Sequence, residues 1–152
     1  MIFRIDDLSG EKTRTLVATH LAGMHANSPP ESVHAFDIDK LREPGVTFWS
    51  VWIDEELAGC GALKQLDGKR GEIKSMRVAD GFIGRGVGKA ILAHLMAEAK
   101  SRGMQSLWLE TGSGPAFFPA QKLYEAAGFV RCGPFEHYVE DSFSVFMMRE
   151  IG

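Results

Sequence analysis

The spacing of apolar positions divides the chain into segments of two periods. Ile2, Phe3 and Ile5 predict a short first strand. Leu16, Val17, His20, Leu21 and Met24 then share one face of a helix, with Ser9 as the candidate cap at its start. Ser28-Pro29-Pro30-Glu31 has the form of a capping box with prolines in the first turn, which predicts a second short helix with Val33 and Phe36 turned inward. From Thr47 to Ile53 β-branched and aromatic residues dominate; Asp54-Glu55-Glu56 interrupts them, and Leu57 to Leu66 follows. That pattern predicts a hairpin. A second turn over Asp67-Gly68-Lys69-Arg70-Gly71 leads into a strand from Glu72 to Val78.

Beyond a glycine cluster, Val87, Ile91, Leu92, Leu95, Met96 and Ala99 recur at helical spacing, and Gly103 is placed to end that helix. Leu107 to Glu110 is a strand that follows closely, so strand, helix and strand imply a right-handed crossover between parallel neighbours. Phe117 to Ala127 is the last helix, with Pro119 near its first turn and Gly128 past its end. Phe129 to Cys132 and Ser142 to Met148 pair as closing antiparallel strands. The order β, α, α, three meandering strands, then α, β, α, β, β predicts an α/β layered domain, a mixed sheet with helices on its faces. No repeat or linker divides the chain, and 152 residues suit one domain spanning 1–152.

Composition narrows the setting. Hydrophobic residues make up 45% and charged residues 24%, as in ordinary globular domains. No apolar run approaches the ~20 residues that span a bilayer. Met1 to Asp7 has no basic lead followed by a long apolar core, so no secretory signal is expected. Two cysteines, Cys60 and Cys132, are too few for a disulfide framework, and a reducing cytoplasm is the simpler setting. A net charge of -3 argues against nucleic-acid binding, while a local basic patch could still hold a phosphorylated ligand. His20, His25, His34, His94 and His137 show no metal-type pairing, so no metal is expected.

The glycine cluster, Gly84-Arg85-Gly86-Val87-Gly88-Lys89, is the strongest chemical signal. Glycines let backbone N–H groups approach an anion, the helix start adds a favourable dipole, and Arg85 and Lys89 add charge. A Walker A loop fails twice: Ile83 occupies its first glycine position, and Ala90 replaces the Ser or Thr after Lys89. A dinucleotide fingerprint counted from Gly84 puts Lys89 at its third glycine. A ligand-free turn is the bland alternative, but three glycines plus two cations at a helix start exceed what a turn needs.

The segment from Met76 to Leu92 closely resembles the acyl-CoA signature of the GNAT superfamily of N-acetyltransferases, where a strand ending in apolar-x-Val precedes Arg/Gln-x-x-Gly-x-Gly/Ala and a long helix. Gly86 and Gly88 match the required glycines, and Ile83 stands where the family usually has Arg or Gln. Leu123-Tyr124-Glu125-Ala126-Ala127-Gly128-Phe129 resembles the family's Leu-Tyr-Glu-x-x-Gly-Phe segment, with Phe117 where an Asn often occurs. With the order of elements, the resemblance covers essentially the whole chain from Ile2.

The resemblance implies a mixed, mostly antiparallel sheet of about six to seven strands with a parallel central pair, flanked by about four helices. It implies transfer of an acetyl group from acetyl-CoA directly to a primary amine of a small molecule or protein, without an acyl-enzyme. Met76 and Val78 would pair with the pantetheine amides, and the Val78 N–H would serve as oxyanion donor. Arg77 would point to the opposite face, and the loop from Ile83 through Gly84, Arg85, Gly86, Val87 and Gly88 to Lys89 would hold the pyrophosphate. Tyr124 matches the position that protonates the leaving thiolate, although a core tyrosine would look the same. Glu72 sits where some members place a general base acting through water, although it could equally be a solvated strand end beside Lys74. Glu110 and Thr111 would face the same cleft, and His25 and His137, the latter with Tyr138, are candidates to shape the acceptor pocket. The family also forms dimers, but no residue here identifies an interface. The alternative function is an acyl-CoA-binding regulatory domain with little or no transfer.

Overall fold

The computed structural model describes residues 1–30 and 37–152. Seven strands form one sheet: β1 (Ile2–Ile5), β2 (Val46–Ile53), β3 (Glu56–Gln65), β4 (Arg70–Val78), β5 (Ser106–Gly112), β6 (Val130–Cys132) and β7 (Ser144–Glu150). Their order is β1-β2-β3-β4-β5-β7-β6. Every neighbouring pair is antiparallel except β4 and β5, which are parallel as the strand–helix–strand order predicted. Four α-helices flank the sheet among the described residues: α1 (Glu11–Asn27), α2 (Ile38–Leu41), α3 (Val87–Ser101) and α4 (Phe118–Ala126).

Alternation along the strands sorts the core into two faces. On one face, Trp49, Val51, Leu63, Ile73, Leu107, Leu109 and Met147 pack with Val87, Ile91, Leu92 and Leu95 of α3 and Tyr124 of α4. On the other, Phe48, Cys60 and Ala62 pack with Leu16 and Val17 of α1 and Leu41 of α2. Trp108 and Phe146 point away from the first face and meet Phe135 and Tyr138 of the β6–β7 connection.

Two local expectations change. Ser9 does not cap α1: the N-cap is Gly10, and Asp7 engages Ser9 instead, accepting from its hydroxyl at 2.6 Å and its amide at 3.0 Å. The second helix predicted from Ser28 falls largely on residues 31–36, outside the described residues; Ser28 itself closes α1 in an extended conformation. The hairpin turn is tighter than the three acidic residues suggested. Ile53 pairs with Glu56, so Asp54 and Glu55 alone make the loop, both with positive φ (49° and 67°).

Two irregularities in the middle of the sheet create the site. First, Cys60 faces Arg77 and Ala62 faces Lys74, so β4 carries one extra residue there, and Ser75 takes a φ of 54°. This bulge resets the alternation: Ile73, Met76 and Val78 face α3 and α4, while Glu72 and Lys74 face away from them. Second, β4 and β5 pair only from Arg70/Ser106 to Glu72/Trp108. Past Glu72 the strands separate, leaving a gap in the sheet.

Candidate active site

The gap is a cleft in two parts. The outer part encloses about 390 Å³ and is lined by Met76, Arg77, Val78, Ile83, Gly88 and Leu123, among others. The inner part is smaller, about 110 Å³, and reaches Glu72, Lys74, Ser75, Glu110 and Thr111. His20 and Met24 of α1, Met76 of β4, and Phe117, Ala120 and Tyr124 around α4 line both parts. The outer part therefore has room for a chain-like ligand, and the inner part for a compact group.

The outer end presents unpaired backbone groups and the start of a helix. Ala79 donates its N–H to Ala58 O at 2.8 Å, so the alternation of an antiparallel ladder turns the Val78 N–H the other way, toward the gap. The loop beyond β4 makes one 3₁₀ turn at Asp80–Phe82 and then passes Gly84 and Gly86, each with φ of 81°. That left-handed conformation would cost a side-chain-bearing residue roughly 1–2 kcal/mol, which explains the glycines. Gly86 is the N-cap of α3 without a side-chain cap, so the first amides of α3 remain for another acceptor. Arg85 lies over the Phe82 ring, 4.8 Å from its centroid, and Lys89 is exposed on the first turn of α3. Ile83 is exposed at the rim, where it supplies apolar surface and no charge. Arg77, expected on the opposite face, lines the cleft beside α1, where it approaches Gly23, and lies 3.8 Å from Asp80.

At the inner end, Glu72 is only 1% exposed, which excludes the solvated strand end. Tyr138 donates its hydroxyl to Glu72 Oε2 at 2.7 Å, and Lys74 Nζ donates to the Tyr138 oxygen at 2.7 Å while lying 3.4 Å from the same Oε2. Burial pulls Lys74 below the usual lysine range, against the opposing charges of Glu72 and Glu110. Burial first, and the Glu72 charge second, push Tyr138 up, so it keeps its proton. Between the two ends stands Tyr124, packed against Phe129 and pushed up to about 12 by burial; it too is held as a phenol. His20 is lowered to about 4 by burial and then by the charges of Arg77 and Lys74, so it is neutral at ordinary pH.

Several sequence-derived candidates meet at the cleft: Glu72, Met76, Arg77, Val78, Ile83, Gly88, Glu110, Thr111 and Tyr124 all line it. Two do not. His25 is exposed and off the cleft, because five residues past His20 turns a side chain about 140° around the helix. His20 takes that place. His137 is exposed and stacks on Tyr138, with ring centroids 4.6 Å apart; it is Tyr138 that enters the site. Phe117, in the asparagine's usual place, gives α4 no side-chain cap and instead packs edge-on to Phe143, 5.6 Å away, as part of the cleft wall. Sequence reasoning missed Lys74 and His20. The signal for Lys74 was its spacing of two from Glu72, which puts both on one face of a strand.

Neither cysteine is set up as a nucleophile. Burial pushes Cys60 up to about 12, and Cys132 is raised by burial as well. Among the described residues, no group of three or more His, Cys, Asp or Glu could hold a metal ion, and no helix is long and apolar enough to cross a membrane.

The sheet is split at one parallel pair, with a glycine-lined helix start at one end of the split. The model of the acetyltransferase (GNAT) family matches residues 14–129, and the chain belongs to that family. It is 52% identical over 151 residues to the uncharacterized N-acetyltransferase YsnE of Bacillus subtilis (strain 168), covering 99% of this chain and 100% of that one. Among solved structures, a Klebsiella pneumoniae protein assigned as an acyl-CoA N-acyltransferase has the same fold, with a TM-score of 0.80, 24% identity and coverage of 99% and 97%. A GNAT family acetyltransferase from Elizabethkingia anophelis, solved with acetyl-CoA bound, gives a TM-score of 0.72 at 18% identity over 98% of this chain and 97% of that one.

Proposed function

We propose that the protein transfers the acetyl group of acetyl-CoA directly to a primary amine of a small-molecule or protein acceptor. The observation that carries this reading is the two-ended cleft: a backbone-rich anion cradle at one end, a buried carboxylate at the other, and Tyr124 lining both. The pyrophosphate rests on the amides from Gly84 to Gly88, with Arg85 and Lys89 as charge partners. The pantetheine arm runs along Met76 and Val78 in place of the missing β5 partner.

An alkylamine with a solution pKa of ~10.4 arrives protonated and must lose that proton before it attacks. Glu72 accepts it through a water. The nitrogen then bonds to the thioester carbon, and the Val78 N–H stabilises the charge that develops on oxygen. As the carbon–sulfur bond breaks, the thiolate takes the proton of the Tyr124 hydroxyl, which burial has preserved for it; the nitrogen gives up its second proton to become the amide, and that proton restores the phenol through water. The test is thiol release from acetyl-CoA across a set of primary amines. Release that depends on both substrates supports the reading; tight CoA binding with no turnover for any amine would favour a binding module instead.

A further inference from the structure

The inner recess contains a side-chain arrangement that the transfer chemistry alone does not require. Both partners of Glu72 meet one oxygen: Tyr138 donates to Oε2, and Lys74 lies 3.4 Å from Oε2. Neither of these two contacts engages Oε1. The charged and titratable groups around the carboxylate come from five elements: Lys74 from β4 itself, Lys64 from β3 as the cross-strand partner of Glu72, Glu110 from β5, Tyr138 from the β6–β7 connection and His20 from α1.

Resting on the transferase reading, we infer that Lys74 and Tyr138 are positioning residues that fix Glu72 by its Oε2 and present Oε1 as the atom that takes the acceptor's proton. Three features lead there. A carboxylate on a flexible side chain has several rotamers, and a hydrogen bond from Tyr138 together with the Lys74 ion pair on one oxygen selects one of them. The order of donors is also set. Tyr138 has a single proton; because it gives that proton to Glu72, its lone pair accepts from Lys74 at 2.7 Å. Finally, the tyrosine ring is itself held, edge-on to Phe135 at 5.0 Å and tilted against Phe146 at 5.7 Å, so the hydroxyl has a fixed origin. The β6–β7 connection thus sets the alignment of a base on β4, 66 residues earlier in the chain.

The test compares wild type with Tyr138→Phe, which keeps the ring and its packing, and with Lys74→Met. Kinetics of thiol release are measured from pH 5.5 to 9 with the best amine. In Tyr138→Phe, kcat falls roughly 10- to 100-fold, the cost of a misplaced catalytic group. The KM for acetyl-CoA stays within about twofold, because the donor end is untouched. Loss of a donor to a carboxylate disfavours its charged form, so the acidic limb of kcat moves to higher pH, and Lys74→Met moves it the same way. A residue serving only to pack the loop would leave that limb in place. Wild-type turnover with an unmoved limb and unchanged kcat in both variants overturns the positioning roles alone. Absence of wild-type turnover for every amine overturns the transferase reading and these roles with it.

Discussion

The two ends of the cleft are built in opposite ways. The donor end is made from one continuous stretch, Met76 to Lys89, and its working groups are mainly backbone amides. The acceptor end draws Glu72, Lys74, Glu110, His20 and Tyr138 from α1, β4, β5 and the β6–β7 connection, and its working groups are side chains largely out of water. On the proposed function, the donor end would recognise a ligand shape that its own chain conformation imposes. Identity at the acceptor end is set by which side chains the fold brings together. A family can therefore keep the first while varying the second.

If this division is right, substitutions at the two ends should separate cleanly into binding and chemistry. The largest effect is expected at the acceptor end. Glu72→Gln keeps the side chain's shape but cannot take a proton, and kcat should fall on the order of 10²- to 10⁴-fold, with acetyl-CoA affinity within about twofold. Loss of CoA affinity in that variant would mean that the two ends are not separable. At the donor end, Gly86→Asp forces a side chain into a left-handed position and adds negative charge to an anion cradle. Calorimetry should show CoA binding weakened by roughly 100-fold. Tyr124→Phe lies at the junction and should lower kcat by roughly 10- to 100-fold while leaving CoA binding unchanged; an unaltered kcat would remove the phenol from the chemistry.

The contrast also explains what could be read from the chain before its structure. The period of Val87, Ile91, Leu92, Leu95 and Ala99 describes α3 correctly because all five are buried on one helix face. The loop was legible because glycine at Gly84 and Gly86 reports a backbone conformation directly. The bulge in β4 was not legible, since Ser75 adopts positive φ without being a residue that signals it. Nor was the burial of Glu72, which depends on Tyr138 arriving from another part of the chain. His25 lies off the cleft that His20 lines, and of the pair His137 and Tyr138 only Tyr138 bonds Glu72; which residue of each segment faces the cleft is set by packing.

A smaller effect sharpens the acceptor half. His20 is held neutral by burial, with its folded value near 4 against 6.5 for a free histidine. The unfolded chain therefore binds the extra proton first as pH falls. The contribution of neutral His20 is complete above pH 6.5 and is lost progressively toward pH 4. Urea unfolding between pH 7 and 5 should show wild type losing stability more steeply than His20→Gln; parallel curves would place His20 in water. At the bottom of the scale, His25→Ala and His137→Ala should each leave kcat and both KM values within about twofold, as expected for exposed side chains away from the cleft.

The most direct test of the whole account is a crystal structure of the protein with CoA bound. The account predicts the pyrophosphate on the amides of Gly84 to Gly88, the pantetheine arm along Met76 and Val78, and the thiol in the β4–β5 gap beside Tyr124, opening toward Glu72. CoA lying elsewhere, or a thiol turned away from Tyr124 and the inner recess, would contradict it.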